Sequence, residues 1–156
     1  MAARRWYWWL SGSVIVLDQG TKLLAETLLI FHQPVPVLPS FNLMLTYNTG
    51  AAFSFLDDAG GWQRWFFLGL GLLVSIGLIV WLRRLKSEDH WLAAALALIL
   101  AGAVGNLIDR AWFGQVIDFI QVYYDHWYFP VFNIADISIN IGAALLVLDS
   151  LRRRNA

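Results

Sequence analysis

The sequence predicts an all-α membrane protein with four transmembrane helices, a small extracytoplasmic cap that contains β-structure, and a short outer helix or loop between spans three and four. Two observations lead to this class. Hydrophobic residues make up 59% of the 156 residues and charged residues only 14%, whereas roughly one quarter of a soluble domain is charged. The apolar residues also gather in four segments that are about as long as a bilayer is thick.

The four apolar segments give the predicted spans, at about 6–30, 62–82, 91–109 and 131–149. Roughly 20 helical residues cross the ~30 Å of hydrocarbon in a bilayer, and each segment is long enough or nearly so. Asp18, Lys22 and Glu26 interrupt the first segment, whereas the third has no charge before Asp109. The first segment lacks a clear signal-peptide cleavage site, so it is predicted to remain as a span. No linker divides the chain, and residues 1–156 are predicted to form a single integral membrane domain.

The basic residues predict the orientation of the spans. Eight of the eleven lie before the first span, between the second and third spans, or after the fourth span. In a chain with four spans these regions share one side of the membrane. The eight residues are Arg4, Arg5, Arg83, Arg84, Lys86, Arg152, Arg153 and Arg154. Because cytoplasmic loops carry an excess of Lys and Arg, both termini and the loop at 83–90 are expected in the cytoplasm. The segment at 31–61 and the connection after the third span then face outward.

Residues 31–61 are predicted to form the outer cap. Prolines at positions 34, 36 and 39 stop helix propagation. The run 41–47 roughly alternates apolar with polar or aromatic side chains before the turn signal Asn48-Thr49-Gly50. We expect a strand-bearing cap that lies on the membrane, in which Phe53 and Phe55 dip into lipid or cover a bound lipidic substrate.

Asp118 and Asp136 lie in sequence so apolar that an unpaired carboxylate there would be costly. An acid within a membrane or at its edge is a candidate functional residue, and the predicted topology brings both acids to the outer interface. Two nearby carboxylates in a low-dielectric site share one proton, which makes one a base and the other an acid. Such a pair can activate water for attack on a peptide carbonyl without a metal or a covalent nucleophile.

Two other classes of membrane protein are weighed against this interpretation. A small proton- or cation-coupled transporter relays ions through membrane acids, but the acids here gather at one interface and no polar path reaches the cytoplasmic half. A non-enzymatic scaffold subunit leaves the paired acids unexplained. No cofactor or metal site is predicted, since the chain has no cysteine and its histidines at positions 32, 90 and 126 lack ligand spacing.

Further residues are expected to support the two acids. Asp18 and Lys22 stand four residues apart on one helical face, so they can neutralise each other. Asp109 and Arg110 are adjacent, and their commonest interpretation is a local structural ion pair. Glycines within the spans are expected to let helices pack closely, without taking part in chemistry. They are Gly69, Gly71, Gly77, Gly102 and Gly105.

Five short motifs occur in order along the chain. They are Asp18-Gln19-Gly20-Thr21-Lys22, Tyr47-Asn48-Thr49-Gly50-Ala51-Ala52-Phe53, Gly105-Asn106-Leu107-Ile108-Asp109-Arg110, Val116-Ile117-Asp118-Phe119 and Phe132-Asn133-Ile134-Ala135-Asp136. Together they resemble the motif set of the bacterial lipoprotein signal peptidase (signal peptidase II) family. The resemblance implies a multi-pass aspartic endopeptidase of the bacterial inner membrane with its active site toward the periplasm. The implied substrates are prolipoproteins that carry a diacylglyceryl group on the cysteine just beyond the cut.

The resemblance also implies roles for individual residues. Asp118 and Asp136 match the catalytic pair. The supporting positions are Asp18, Lys22, Asn48, Gly50, Asn106, Asp109, Arg110, Asn133 and Ala135. The expected partners are lipid-modified prolipoprotein signal peptides and membrane phospholipid, with no nucleic acid. The protein is expected to act as a monomer.

Overall fold

A computed structural model describes residues 6–50, 62–86 and 88–154 of the chain. These residues form four long helices: α1 (Trp6–Leu28), α2 (Trp62–Arg84), α3 (His90–Trp112) and α4 (Ile134–Arg154). The same residues form four strands: β1 (Val35–Leu38), β2 (Phe41–Asn48), β3 (Val116–Tyr124) and β4 (Trp127–Tyr128). The helices fall in the segments predicted as spans, and β1 and β2 fall in the predicted cap. Residues 51–61 of that cap, with Phe53 and Phe55, lie outside the described residues.

The third helix is the centre of the helical part, because α3 packs against α1, α2 and α4. Small side chains make up much of its buried face: Ala93, Ala95, Ala97, Ala101, Gly102 and Gly105. Such residues let helix backbones approach closely. A Cβ atom added at Gly102 would collide with the backbone carbonyl oxygen of Ala135, and one at Gly105 would lie 2.6 Å from Oδ2 of Asp18. The small face of α3 therefore brings α1 and α4 together around their acidic residues.

The predicted role of the span glycines is only partly right. Gly102 and Gly105 lie at close helix contacts, and a Cβ atom at Gly71 would be 3.1 Å from a leucine side chain of α3. The prediction is wrong for Gly69 and Gly77, where an added Cβ atom would meet nothing within 4 Å in the described part of the chain. The glycines of α2 thus contribute less to helix packing than those of α3.

Replacing Gly102 by alanine is expected to destabilise the fold by about 1–3 kcal/mol, because the methyl group overpacks the contact between α3 and α4. Gly77→Ala is the matched control, since it makes the same change inside a helix where space is open. We expect this control to be neutral or slightly stabilising, because alanine has the higher helix propensity. Unfolding curves in one detergent provide the comparison, and equal midpoints would contradict the tight contact at Gly102.

Three of the described helices are both long enough and apolar enough to cross a membrane, namely α2, α3 and α4. The first helix is as long as α2 and α3, at 23 residues. Asp18, Lys22 and Glu26 lower its hydropathy, as do the aromatic and serine residues near its start. By composition, the structure therefore supports three crossing helices where the sequence predicts four.

The strands form one antiparallel sheet in the order β1-β2-β3-β4. Thr46 of β2 lies opposite Asp118 of β3, and Asn48 lies opposite Val116. The prediction of a short outer helix or loop between spans three and four is wrong, because β3 and β4 form a hairpin there. The first four residues of β3 are all buried, so this strand lacks the alternation by which a half-buried strand is predicted. Pairing with β2 attaches the strand that carries Asp118 to the cap.

Candidate active site

Asp118 and Asp136 line the same cavity, whose volume is about 610 Å³. Asp118 comes from β3, and Asp136 lies in the first turn of α4. Asp118 is only 3% exposed, while Asp136 is half-buried. The structure thus brings together the two acids that the sequence singles out.

Asn133 links the two elements that carry these acids. It forms a capping box with Asp136: the side-chain oxygen of Asn133 accepts a hydrogen bond from the Asp136 backbone N–H at 2.9 Å, and the Asp136 carboxylate accepts one from the Asn133 N–H at 3.3 Å. Nδ2 of Asn133 donates to Oδ1 of Asp118 at 2.6 Å and to the carbonyl oxygen of Ile117 at 3.3 Å. A fully buried amide therefore fixes the start of α4 relative to β3.

Asn48 and Asn106 hold the other side of the acid pair. Nδ2 of Asn48 donates to Oδ2 of Asp118 at 3.3 Å. The Oδ1 atom of Asn48 accepts a hydrogen bond from the Gly50 N–H at 3.0 Å. This bond orients the amide so that its Nδ2 atom faces Asp118. Nδ2 of Asn106 donates to Oδ1 of Asp136 at 2.9 Å. With the bonds from Asn133, all four carboxylate oxygens of the pair accept a hydrogen bond.

A buried ion triad lies behind these amides. The Lys22 ammonium is 2.8 Å from the carboxylates of both Asp18 and Asp109. The predicted pair of Asp18 and Lys22 is confirmed, and both residues are almost completely buried. Lys22 also donates to Oδ1 of Asn106 at 3.0 Å, so the positive charge orients the amide that binds Asp136.

The two carboxylates of the triad reach the backbone next to each acid of the pair. Asp18 accepts a hydrogen bond from the Ala135 N–H at 2.8 Å, one residue before Asp136. Asp109 accepts one from the Ile117 N–H at 3.2 Å, one residue before Asp118. The triad thus positions both halves of the acid pair through short backbone contacts.

Arg110 does not pair with its neighbour Asp109, and that prediction is wrong. Consecutive residues of a helix point in directions about 100° apart, and Asp109 pairs with Lys22 instead. The Arg110 guanidinium donates to the Gly50 carbonyl oxygen at 2.7 Å and lies 5.1 Å from the ring centroid of Phe67. Arg110 lines the cavity, so it connects the end of the cap to the wall of the site.

Gln19 also belongs to this network, although the first motif gives it no role of its own. Its Nε2 atom donates to Oδ1 of Asp109 at 2.9 Å and lies within 3.2 Å of both the Gly105 carbonyl oxygen and Oδ2 of Asp18. A further, half-buried donor therefore serves the carboxylates of the triad. The signal in the sequence is its place in the motif Asp18-Gln19-Gly20-Thr21-Lys22.

Arg64 is a second residue that the sequence gives no site role. Its Nε and Nη2 atoms donate to the carbonyl oxygens of Arg110 at 3.1 Å and Ala111 at 2.8 Å. Both carbonyls lie in the last turn of α3, where helical partners run out, although the Arg110 carbonyl oxygen also accepts the Gly114 N–H at 3.1 Å. Gly114 has a φ of 78°, and a Cβ atom there would lie 3.3 Å from the guanidinium. As the lone charge at the start of the second segment, Arg64 is identifiable in the sequence.

The surroundings of Asp118 favour its neutral form. Burial raises the pKa of Asp118, and the nearby charge of Asp136 raises it further, to about 7. Hydrogen bonds from Asn48 and Asn133 oppose this increase, because they stabilise the carboxylate. Asp118 therefore exchanges a proton close to neutral pH, which is the range required of a group that acts as an acid or a base.

Residues 10–152 of the chain match the family described as Signal peptidase (SPase) II. The chain belongs to the signal peptidase II family. The lipoprotein signal peptidase of Pseudomonas aeruginosa is 50% identical over 150 residues, which are 95% of this chain and 89% of that protein. The lipoprotein signal peptidase of Acinetobacter baumannii is 56% identical over 144 residues, which are 91% of this chain and 82% of that protein.

Two solved structures share the fold of this signal peptidase II. Both are described as bacterial membrane enzyme structures obtained by the in meso method, at 2.3 Å and 1.9 Å resolution. The first has a TM-score of 0.84 at 32% identity and covers 94% of this chain and 87% of that one. The second has a TM-score of 0.79 at 31% identity and covers 93% and 92%.

Membership in the signal peptidase II family makes the chain a bacterial membrane protease. The family resemblance read from the five motifs is thereby confirmed. The transporter considered from the sequence alone is not supported, because the match covers nearly all of the chain.

Proposed function

We propose that this signal peptidase II is an aspartic endopeptidase that removes signal peptides from diacylglyceryl-modified prolipoproteins at the outer face of the bacterial inner membrane. One observation carries the catalytic type. Asp118 and Asp136 line one cavity, and the side chains of Asn48, Asn106 and Asn133 bind their carboxylates. Aspartic proteolysis needs such a pair of carboxyl groups that shares one proton.

The pair supplies both proton transfers of peptide hydrolysis. The ionised carboxylate takes a proton from water as the water oxygen attacks the substrate carbonyl carbon, and the protonated carboxyl gives its proton to the carbonyl oxygen. The carboxyl that took the proton from water gives it to the amine as the C–N bond breaks, and the other carboxylate takes back the hydroxyl proton as the C=O bond re-forms. One proton remains on the pair after the products leave, so the cycle can repeat.

The apolar part of the cavity fits a lipidic substrate. Phe129, Val131, Phe132, Ile137 and Ile141 form much of its wall. A signal peptide is apolar, and so are the acyl chains of a diacylglyceryl group. The combination of an apolar wall with a polar end that carries two acids supports cleavage at the border between membrane and water.

The packing of α1 supports a fourth membrane span despite its low hydropathy. Asp18 and Lys22 are buried against α3. The surface that α1 leaves exposed includes Val16, Leu17 and Leu23, with exposed fractions of 55–73%. A helix that turns its charges inward and its apolar side chains outward is suited to lipid. All four carboxylate oxygens of the acid pair accept hydrogen bonds from the same chain, so the site is complete within one copy, which supports a monomer as the working unit.

The proposed topology predicts opposite labelling of two exposed loop residues. Asp125 lies in the β3–β4 turn, and Glu88 precedes α3 at the other end of the helices. In a chain without natural cysteine, Asp125→Cys is expected to react with an impermeant thiol reagent added to intact cells with a permeabilised outer membrane. Glu88→Cys is expected to react only after lysis, because it faces the cytoplasm. The reverse pattern would contradict the orientation.

The direct test of the proposed function is incubation of the purified protein with a lipid-modified prolipoprotein, followed by mass measurement of both products. Cleavage immediately before the lipid-modified cysteine is expected, and the same prolipoprotein without its lipid is the control substrate. Cleavage that stops in the presence of a chelator would indicate a metalloprotease instead.

The raised pKa of Asp118 predicts an alkaline limit to cleavage. We expect kcat/KM to fall as the pH rises through about 7, because Asp118 then loses the proton that the pair must keep. Asn48→Ala removes a hydrogen bond that lowers this pKa, so the limit should move to higher pH. A profile of kcat/KM across the neutral range for both proteins tests this, with unfolding curves at each pH as the control. A limit that moves to lower pH in the variant would contradict the assignment of Asp118.

A further inference from the structure

Asn140 is a polar side chain on the cavity wall, in the part that lies within the membrane in the proposed topology. It lies on α4, one helical turn beyond Asp136, and it is exposed. Its neighbours on the wall are Ile137, Ile139 and Ile141. An amide at this depth is costly in hydrocarbon unless its polar atoms have hydrogen-bond partners.

The amide of Asn140 is oriented by its own helix. Nδ2 donates to the backbone carbonyl oxygen of Asp136 at 2.8 Å. A carbonyl oxygen can only accept, so the amide nitrogen must face it and Oδ1 must face away. In the part of the chain that the structure describes, Oδ1 has no hydrogen-bond partner. The group that Asn140 offers to the cavity is therefore an acceptor, which requires an N–H or O–H donor as its ligand.

The position of Asn140 relative to the acids indicates which part of a substrate supplies that donor. Four residues of α-helix place it about 6 Å further along the helix axis than Asp136. The Arg-rich end of α4 lies in the same direction, so Asn140 is the deeper of the two in the membrane. In the proposed orientation, the signal peptide enters from the membrane, and its residues before the scissile bond occupy this deeper part.

A peptide must leave the helical conformation for its scissile carbonyl to be attacked, and its N–H groups then lose their helical partners. Inside a membrane such groups need new acceptors. An extended chain advances about 3.3 Å per residue, so about 6 Å corresponds to two residues. The unpaired Oδ1 atom of Asn140 therefore lies about two substrate residues from the acids. At that level an extended signal peptide has a backbone N–H that no longer has a helical partner.

We propose that Asn140 is a substrate-binding residue whose Oδ1 accepts a hydrogen bond from the backbone N–H of the second or third residue before the scissile bond. The proposal rests on the proposed function and deepens it. Asn140 would bind the substrate backbone and not a side chain. It could therefore align signal peptides of different sequence in the same way relative to Asp118 and Asp136. A substrate without an N–H at that residue, such as one with proline there, would be cleaved more slowly.

The test uses prolipoprotein substrates in which one backbone amide before the scissile bond is replaced by an ester. Each ester removes one N–H and leaves the side chains unchanged. With the unmodified protein, we expect kcat/KM to fall about tenfold for an ester at the second or third residue and little for an ester at the first or fourth, as the loss of one hydrogen bond predicts.

Asn140→Leu supplies the second half of a double-mutant cycle. It is expected to lower kcat/KM about tenfold on the all-amide substrate and to cause no further loss on the sensitive ester. Val147→Leu is the matched control, because Val147 is an exposed residue of α4 outside the cavity wall. Light scattering in detergent tests whether Asn140 instead joins two copies, as polar side chains in membrane helices also do.

Equal losses for all esters, or an Asn140→Leu loss that persists on every ester, would overturn the proposal. A dimer that dissociates in Asn140→Leu would overturn it as well. These outcomes are separate from the proposed function. Cleavage of the all-amide substrate by the unmodified protein, and its absence with Asp118→Asn, test the acid pair whatever the role of Asn140.

Discussion

Asp118→Asn and Asp136→Asn are each expected to lower kcat/KM about a thousandfold or more, because asparagine has nearly the shape of aspartate but exchanges no carboxyl proton. Folding should be kept, since the amide can still form part of the hydrogen-bond set around Asn133 and Asn106. The double variant is expected to be scarcely worse than either single variant, as is typical of groups that act as one unit. The measurement is cleavage of a lipidated prolipoprotein by each purified variant.

Asp125→Asn is the matched control for this prediction. Asp125 is an aspartate of the β3–β4 hairpin, but its side chain is 74% exposed and lies outside the cavity wall. This variant should cleave like the unmodified protein. Substantial cleavage by a well-folded Asp118→Asn or Asp136→Asn would rule out the acid pair as the catalytic centre.

Lys22→Met is expected to destabilise the protein by about 3–5 kcal/mol, since it leaves two buried carboxylates without their countercharge. Asp18 and Asp109 are both 0% exposed, so water cannot replace the lost ammonium. Cleavage should also fall, because Asn106 loses the donor that orients its amide toward Asp136. Asp18→Ala should cost less, about 1–3 kcal/mol, because Lys22 keeps Asp109 as a partner.

Lys86→Met is the control for the lysine change. The chain has two lysines, and Lys86 lies exposed after α2. Unfolding curves and cleavage rates of both variants in one detergent give the result. If Lys22→Met unfolded at the midpoint of Lys86→Met and cleaved as fast, the ion triad would have no role in stability or in positioning the acids.

Local patterns are sufficient to predict the helices, and the resemblance of the five motifs to a known family indicates many of the residues around the cavity. The pair of Asp18 and Lys22 follows from the spacing of one helix turn. Apolar segments of about 20 residues predict the long helices because hydrocarbon thickness sets their length. These features depend on residues that are close together in the sequence, so they can be predicted from the sequence alone.

Features that depend on distant partners were predicted poorly. β3 forms because it pairs with β2, some seventy residues earlier, and because both of its faces are largely buried. Neither cause produces an alternation of apolar and polar residues in the sequence of the strand. Asp109 was assigned to its neighbour Arg110, whereas its partner is Lys22 on another helix. The roles of Gln19 and Asn140 are not predictable for the same reason, since a single amide in an apolar segment shows its role only when its surroundings are known.

The ion pair within α1 also bears on how the protein is made. A chain is synthesised from its N-terminus, so in the proposed four-span arrangement α1 enters the membrane before Asp109 exists. In the folded protein the Lys22 ammonium lies 2.8 Å from the Asp18 carboxylate on the same helix, and because residues four apart are neighbours in any α-helix, the newly made segment carries its own counterion. The helix can therefore leave the insertion machinery without waiting for a partner. When α3 follows, Asp109 reaches the same ammonium and anchors α1, so a single lysine serves first in biogenesis and then in the mature enzyme.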